Sequence, residues 1–341
     1  REHRDNVISN STRTIYVISG LGKGELNNLD ATKESLVETQ VIVTSFMNFR
    51  LVQTNTLDVK LDRVVANDTF ADHAKNLKHL YINQSDIEAI EPDAFRGLDN
   101  LETLILSGNN LKRIRARMFK HLRMLTKLVM SNSRIESIES DAFDGLAKLE
   151  ELLLSGNDLR SLGSFNFQHL EQLKSLYLRD SNIQSIEQQA FSGLNSLKEL
   201  NLMRNPLKHL KANTFHGLTE LKSLSLHDSR VNRIDPNAFN GLRKLIELNM
   251  DRNQLIKINN RTLQHLTALR VLHLHESRVE TIESGAFDDL KQLQKLILFK
   301  NSFETIHNRM FEHLKNLQVL FLSESHLNRI DPDAFVGLDR L

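Results

Sequence analysis

The sequence predicts an α/β solenoid. Short parallel strands, one per coil, stack into a curved horseshoe sheet, and mostly loop or short helix closes the convex side. Three observations predict it. The pattern L-x-x-L-x-Φ-x-x-[N/S]-x-Φ-x-x-Φ-x-x-x-x-F-x-x-L-x-x, with Φ apolar, returns eleven times over residues 77–340. Its starts, from Leu77 and Leu101 to Leu293 and Leu317, are each 24 residues apart. Seven apolar positions in every 24 cannot be buried by one repeat alone, so neighbouring coils must stack.

Residues 1–76 stand outside this pattern and read as a β-rich N-terminal cap that ends in one or two degenerate coils. Segments 14–19 (TIYVIS) and 40–46 (QVIVTSF) carry the β-branched and aromatic residues of strands. The glycine-rich 20–24 between them reads as a loop, and no phosphate-binding helix with suitable spacing follows it. Leu57, Val59 and Leu61 alternate like a further strand, and Val65 with Phe70 repeats the later Ile…Phe spacing.

Residues 77–341 form the solenoid, with eleven coils and the first residue of a twelfth. Residues 173–196 (LKSLYLRDSNIQSIEQQAFSGLNS) show how one coil is built. Leu173, Leu176 and Leu178 bracket a short strand, and strand alternation turns Ser175, Tyr177 and Arg179 outward. Ile183, Ile186, Phe191 and Leu194 bring the chain back across the core. Phe fills the nineteenth position of ten coils and Leu263 that of the eighth, which reads as a buried aromatic spine.

A 48-residue period underlies the 24-residue one. The ninth position is Ser at 85, 133, 181, 229, 277 and 325, and Asn at 109, 157, 205, 253 and 301. Odd coils place Ala before the Phe, and even coils never do. At a core bend an Asn amide can satisfy several backbone groups and a Ser hydroxyl fewer, so this column reads as a buried ladder of alternating strength. Six identical Ser residues without a general base at fixed spacing do not read as nucleophiles.

Composition narrows the function. Lys plus Arg number 44 against 43 Asp plus Glu, a net charge of +1. This balance supplies no basic field for nucleic acid and no polybasic patch for a membrane, and no apolar run is long enough to span one. Cysteine is absent, which excludes disulfides, thiolate metal sites and a Cys nucleophile. Sequons at Asn10, Asn67, Asn83 and Asn260 permit glycosylation without arguing for it. No nucleophile, base and oxyanion donor come together, so no enzyme and no cofactor is expected.

The candidate binding residues lie on the outward strand positions of the middle coils. The fifth column opens as an apolar stripe of Tyr81, Ile105, Val129, Leu153 and Tyr177. In the eighth, Asp180, Arg204, Asp228, Arg252, Glu276, Lys300 and Glu324 alternate in sign, so each charge is expected between two opposite ones. The seventh brings His227, Asp251 and His275 onto adjacent strands, with His273 close by. A protein contact fits this set better than a metal ion. The expected partner-binding face is concave and comprises Tyr177, Arg179, Arg204, His227, Asp251, Arg252, His273, His275 and Glu276. The convex turns carry regularly alternating charge, such as Glu187 and Lys211, with little to distinguish one coil from the next, and charge reversal at Glu139 and Glu187 is expected to leave partner binding unchanged.

Residues 101–124 (LETLILSGNNLKRIRARMFKHLRM) carry a specific resemblance. They resemble the 24-residue typical class of leucine-rich repeats found in animal extracellular proteins. Toll-type receptor ectodomains, chaoptin-like adhesion proteins and insect leucine-rich immune proteins are similar. The resemblance covers 264 of the 341 residues. It implies a secreted or cell-surface chain that binds a protein ligand or co-receptor, in innate immunity or cell-surface signalling, with room for a homo- or hetero-dimer. The alternative it implies is an adhesion or assembly protein that uses lateral or convex surfaces. It supplies no catalytic residues. Extracellular members commonly carry cysteine-rich caps, from which this chain departs. A last coil that would expose Leu320, Leu322 and Phe335 leads us to expect a longer natural chain.

Overall fold

A computed structural model describes residue 61 and residues 63–70 and 76–341 in full. It also describes the backbone of the strands Ile8–Asn10, Arg13–Ile18, Thr39–Val43 and Thr56–Asp58. The 20–24 loop lies outside the described residues. Two compact units are present, Arg1–Asn157 and Asp158–Leu341.

In the first unit, Arg13–Ile18 pairs antiparallel with Ile8–Asn10 and parallel with Thr39–Val43. The strands Thr56–Asp58, His79–Tyr81, Thr103–Ile105, Lys127–Val129 and Glu151–Leu153 then pair in parallel, each Leu beside the Leu of the next coil. Pairing of Thr56–Asp58 with His79–Tyr81 extends the coil ladder one turn before Leu77. In the second unit, seven strands from Ser175–Tyr177 to Val319–Phe321 follow the same register. The solenoid is therefore as the repeat predicts. Its return path uses turns and two-residue strands, with no helix among the described residues.

The seven apolar positions are the core. In the fifth coil, Leu173, Leu176, Leu178, Ile183, Ile186, Phe191 and Leu194 are all buried. The Phe rings stack along the coils at 5.8–6.5 Å between centroids. Phe70, Phe95, Phe119 and Phe143 do so in the first unit, and Phe167, Phe191, Phe215 and Phe239 in the second. Interplanar angles of 17° or less with centroids this far apart describe offset stacking, the arrangement ring quadrupoles favour.

The Asn–Ser alternation has a direct structural meaning. Asn205 Oδ1 accepts from Ser181 N at 3.1 Å and Ile183 N at 2.9 Å in the preceding coil. Its Nδ2 donates to Leu178 O and Leu202 O, both at 2.8 Å. Asn109, Asn157, Asn253 and Asn301 repeat these four bonds, and all five side chains are buried. Each Asn thus ties an even coil to the odd coil before it. Ser does less: Ser229 Oγ donates back to Leu202 O at 3.1 Å.

The junction from an even coil to the next odd one is reinforced elsewhere. The return strands pair only two at a time: Arg113–Ile114 with Ser137–Ile138, Ser161–Leu162 with Ser185–Ile186, and His209–Leu210 with Arg233–Ile234. Lys257–Ile258 with Thr281–Ile282 and Thr305–Ile306 with Arg329–Ile330 follow the same rule. Glycine supports this side in odd coils. A Cβ at Gly145, where φ is +92°, would meet Lys120 Cα of the preceding coil at 2.7 Å.

Losing Asn205 orphans Ser181 N, Ile183 N and Leu178 O and leaves Leu202 O with the Ser229 hydroxyl alone, whereas losing the Ser229 hydroxyl leaves two carbonyls each one bond short. With about 1–3 kcal/mol for an orphaned buried group, Asn205→Ala should destabilise clearly more than Ser229→Ala. Urea denaturation of both variants checks this, and equal midpoints would contradict the ladder.

Candidate functional site

All nine expected binding residues fall in the second unit, on coils that begin at Leu173, Leu197, Leu221, Leu245 and Leu269. The strand ends Tyr177 and His273 and the seventh-position residues Arg179, His227, Asp251 and His275 lie on one face of the sheet. Tyr177 Oη donates to Glu199 Oε2 at 2.9 Å, and Arg179 Nε donates to Asp180 Oδ2 at 2.8 Å.

The centre of this face is a carboxylate between two imidazoles. Asp251 is 4% exposed. Its Oδ2 lies 2.7 Å from His227 Nδ1 and 3.2 Å from His275 Nε2. The His275 ring stacks on Phe299, with centroids 4.4 Å apart, and lies 6.1 Å from His273. Asp251 Oδ1 and His275 Nδ1 are buried without a partner. Burial pushes the His275 imidazole below its ordinary 6.5, and the charges of Asp251 and Glu276 pull it partly back. Burial likewise lowers His273, against the pull of Glu247 and Asp251. Among the described residues no cluster of three or more His, Asp or Glu side chains is arranged to hold a metal ion. His227 is hydrogen-bonded to Asp251, and His275 Nε2 lies within ion-pair distance of the same carboxylate oxygen.

The eighth column differs from its expected form. Arg204 reaches Asp180 at 3.9 Å, Arg252 reaches Glu276 at 3.3 Å and Lys300 reaches Glu324 at 3.8 Å. Among the described residues these three pairs form, and Asp228 joins neither neighbour. The column is not flat strand: Asp180, Arg204, Asp228, Arg252, Glu276, Lys300 and Glu324 all have φ between 52° and 56°, so each side chain leaves a left-handed turn. Gly108, Gly156 and Asn132 in the same column were the sequence signal for this conformation.

Two convex carboxylates bond to backbone groups. Glu139 Oε2 accepts from Ala116 N at 3.0 Å, and Glu187 Oε2 accepts from Ser164 N at 3.1 Å. These carboxylates close neighbouring turns. The apolar stripe Tyr81, Ile105, Val129, Leu153 and Tyr177 is half-buried rather than exposed, and Ile297 further along is buried.

The sequons differ in setting. Asn67 and Asn260 are exposed, although Asn67 Oδ1 accepts from Asp93 N at 2.9 Å. Asn83 is half-buried on the sheet face with Oδ1 buried, and the hydroxyl of its Ser85 donates to Asn83 O. The Asn10 side chain lies outside the described residues.

This architecture defines a repeat protein whose coils are made by a shared consensus. The leucine-rich repeat family profile matches in overlapping segments from 63–111 to 291–341, and the chain belongs to that family. No curated protein matches it. Many solved structures are similar in fold, among them the following three. One is a TLR13–ssRNA13 complex, with TM-score 0.74 and 24% identity over 88% of this chain. The others are two structures of the Toll–Spatzle complex from Drosophila, with TM-scores 0.72 and 0.69 and 19% identity over 95% and 97% of this chain. The chain spans about half the length of these proteins, 48–49%.

The lowered imidazoles set a pH response with a definite sign. Unfolded chains take up protons at His273 and His275 near pH 6.5, while the folded chain takes them up only at lower pH. Stability from this source is therefore full above about 6.5 and falls as pH drops toward the folded values. The urea midpoint should drop between about pH 7.5 and about pH 5.5, and drop less in His273→Gln/His275→Gln. An identical drop in both proteins would refute the assignment.

Proposed function

We propose that the chain is an extracellular recognition module that binds a protein partner through the sheet face of its middle coils, in innate immunity or cell-surface signalling. Residues 77–341 would be the binding solenoid and 1–76 its cap with degenerate first coils. The observation that carries the reading is Asp251. Burying a carboxylate is costly unless it is paired. Closing the coil does not require it, because Ser107, Ser131 and Ser155 fill the same column in other coils. A buried carboxylate on the outward face, with two imidazoles beside it and no role in closing the coil, points to recognition. Tyr177, Arg204 and Arg252 around it belong to the residue types on which interfaces depend.

The fold neighbours support a ligand-binding module: one structure holds RNA and two hold a protein. The net charge of +1 favours a protein over RNA for this chain. A scaffold of this kind needs no enzymatic activity and no cofactor. Of the sequons, Asn67 and Asn260 are the ones whose exposure suits a glycan. No helix among the described residues is long and apolar enough to cross a membrane.

Charge reversal tests the face. Arg204→Glu with Arg252→Glu should weaken retention of the partner from extracellular fluid by about tenfold, with the deficit shrinking at high salt. Glu139 and Glu187 are unsuitable controls because each holds a backbone N–H. Arg115→Glu with Arg243→Glu changes the same charge at exposed positions off the strand face and should leave retention unchanged. Loss in the control pair alone, or equally in both, would move the contact off the sheet and favour the adhesion alternative.

A further inference from the structure

We propose that His227 and Asp228 together form a binding spot for a basic side chain, an arginine or a lysine, on the protein partner. The proposal rests on the sheet-face reading for the source of that basic group. The spot itself rests on the geometry around Asp251.

A carboxylate oxygen only accepts, so the His227 imidazole bonded to Asp251 Oδ2 donates to it. His227 then carries its proton on Nδ1. His275 Nε2 lies 3.2 Å from the same oxygen, and its Nδ1 is buried without a partner. His227 keeps 14% of its side chain exposed, and its Nε2 is not among the buried atoms left without a partner. The cluster therefore offers solvent one polar ring atom, and that atom is an acceptor.

Asp228 follows directly and is exposed, with φ at 52°. Its flanking cations are committed elsewhere: Arg204 lies 3.9 Å from Asp180, and Arg252 lies 3.3 Å from Glu276. No ion pair within 4 Å reaches Asp228 among the described residues. An unneutralised carboxylate thus follows directly in sequence on an acceptor backed by a second carboxylate. Charge complementarity selects a cation that also donates hydrogen bonds, which describes guanidinium and ammonium groups. The charged and titratable groups around His227 are Arg204 from the coil before, Asp251 and Arg252 from the coil after, and His275 and Glu276 beyond.

The test uses N-acetyl-arginine amide as a probe on the whole chain with ring-labelled histidines, read by nuclear magnetic resonance. N-acetyl-glutamate amide is the control. At about pH 7.5 the arginine probe should shift the His227 ring signals saturably. Asp228→Asn should weaken the probe at least about fivefold. Asn is readily accepted at a left-handed backbone position, and an unchanged melting curve confirms that this variant folds. No saturable shift, equal shifts from the acidic control, or unchanged affinity in Asp228→Asn overturns the proposal. The probe needs no partner, so the two readings fail separately. A silent probe with partner binding still lost on Arg204 and Arg252 reversal removes only the basic-group assignment.

Discussion

The asparagine at the coil bend is the interaction on which the rest of this molecule depends. A coil of 24 residues leaves N–H and C=O groups at its bend that the parallel strands cannot reach, because the strands are only three residues long. Orphaned there, each would cost more than a typical hydrogen bond returns. One buried amide satisfies four of them across two coils, as Asn253 does for Ser229 N, Val231 N, Leu226 O and Met250 O. Its geometry sets the spacing between coils, and that spacing places the Leu columns and Phe rings in contact. The hydrophobic core supplies most of the driving force, but it is non-directional and cannot select a register by itself.

The same interaction explains why two coils form the unit. Asn ties an even coil to its predecessor. At the next junction Ser supplies a single hydroxyl, and the paired return strands add bonds there, as between His209–Leu210 and Arg233–Ile234. Two different fastenings therefore alternate along the stack. A left-handed residue alternates with them: it sits at Arg134, Asn182 and Arg230 in odd coils, and at Lys112, Arg160 and Lys208 in even ones.

What the sequence disclosed follows from what repetition can show. Stacked columns repeat the same environment, so the Leu positions, the Phe spine and the alternating Asn and Ser could be read without coordinates. The features that escaped depend on single coils or on backbone angles. The eighth column looked like a strand because Arg204 and Arg252 tolerate many conformations, and only Gly108, Gly156 and Asn132 hinted at positive φ. Glu139 and Glu187 looked like ordinary surface charges because nothing in their neighbours announces a bond to an N–H in the previous coil. Proximity of His227, Asp251 and His275 was legible from the register. Burial of Asp251 was not, since it depends on the packing of both imidazoles and of Phe299 over the strand face.

A repeat protein can acquire a binding site only by departing from its consensus on a face that the core does not need. The seventh column shows such a departure. Serine fills it at 107, 131 and 155, where the coil closes with small polar groups. From Arg179 onward the column becomes large and chemically varied, through Met203, His227, Asp251, His275 and Phe299. The inward columns of the same coils keep their Leu residues buried, so the change carries no penalty in the core. Chemistry on the outer face is thus free to vary from coil to coil while the Asn ladder and Phe spine hold spacing constant. Neighbouring strands then present side chains at a fixed interval of about 4.8 Å, the spacing of hydrogen-bonded strands. That interval lets His227 and His275, on alternate coils, reach one carboxylate between them, and it makes the site a property of the stack rather than of any one repeat.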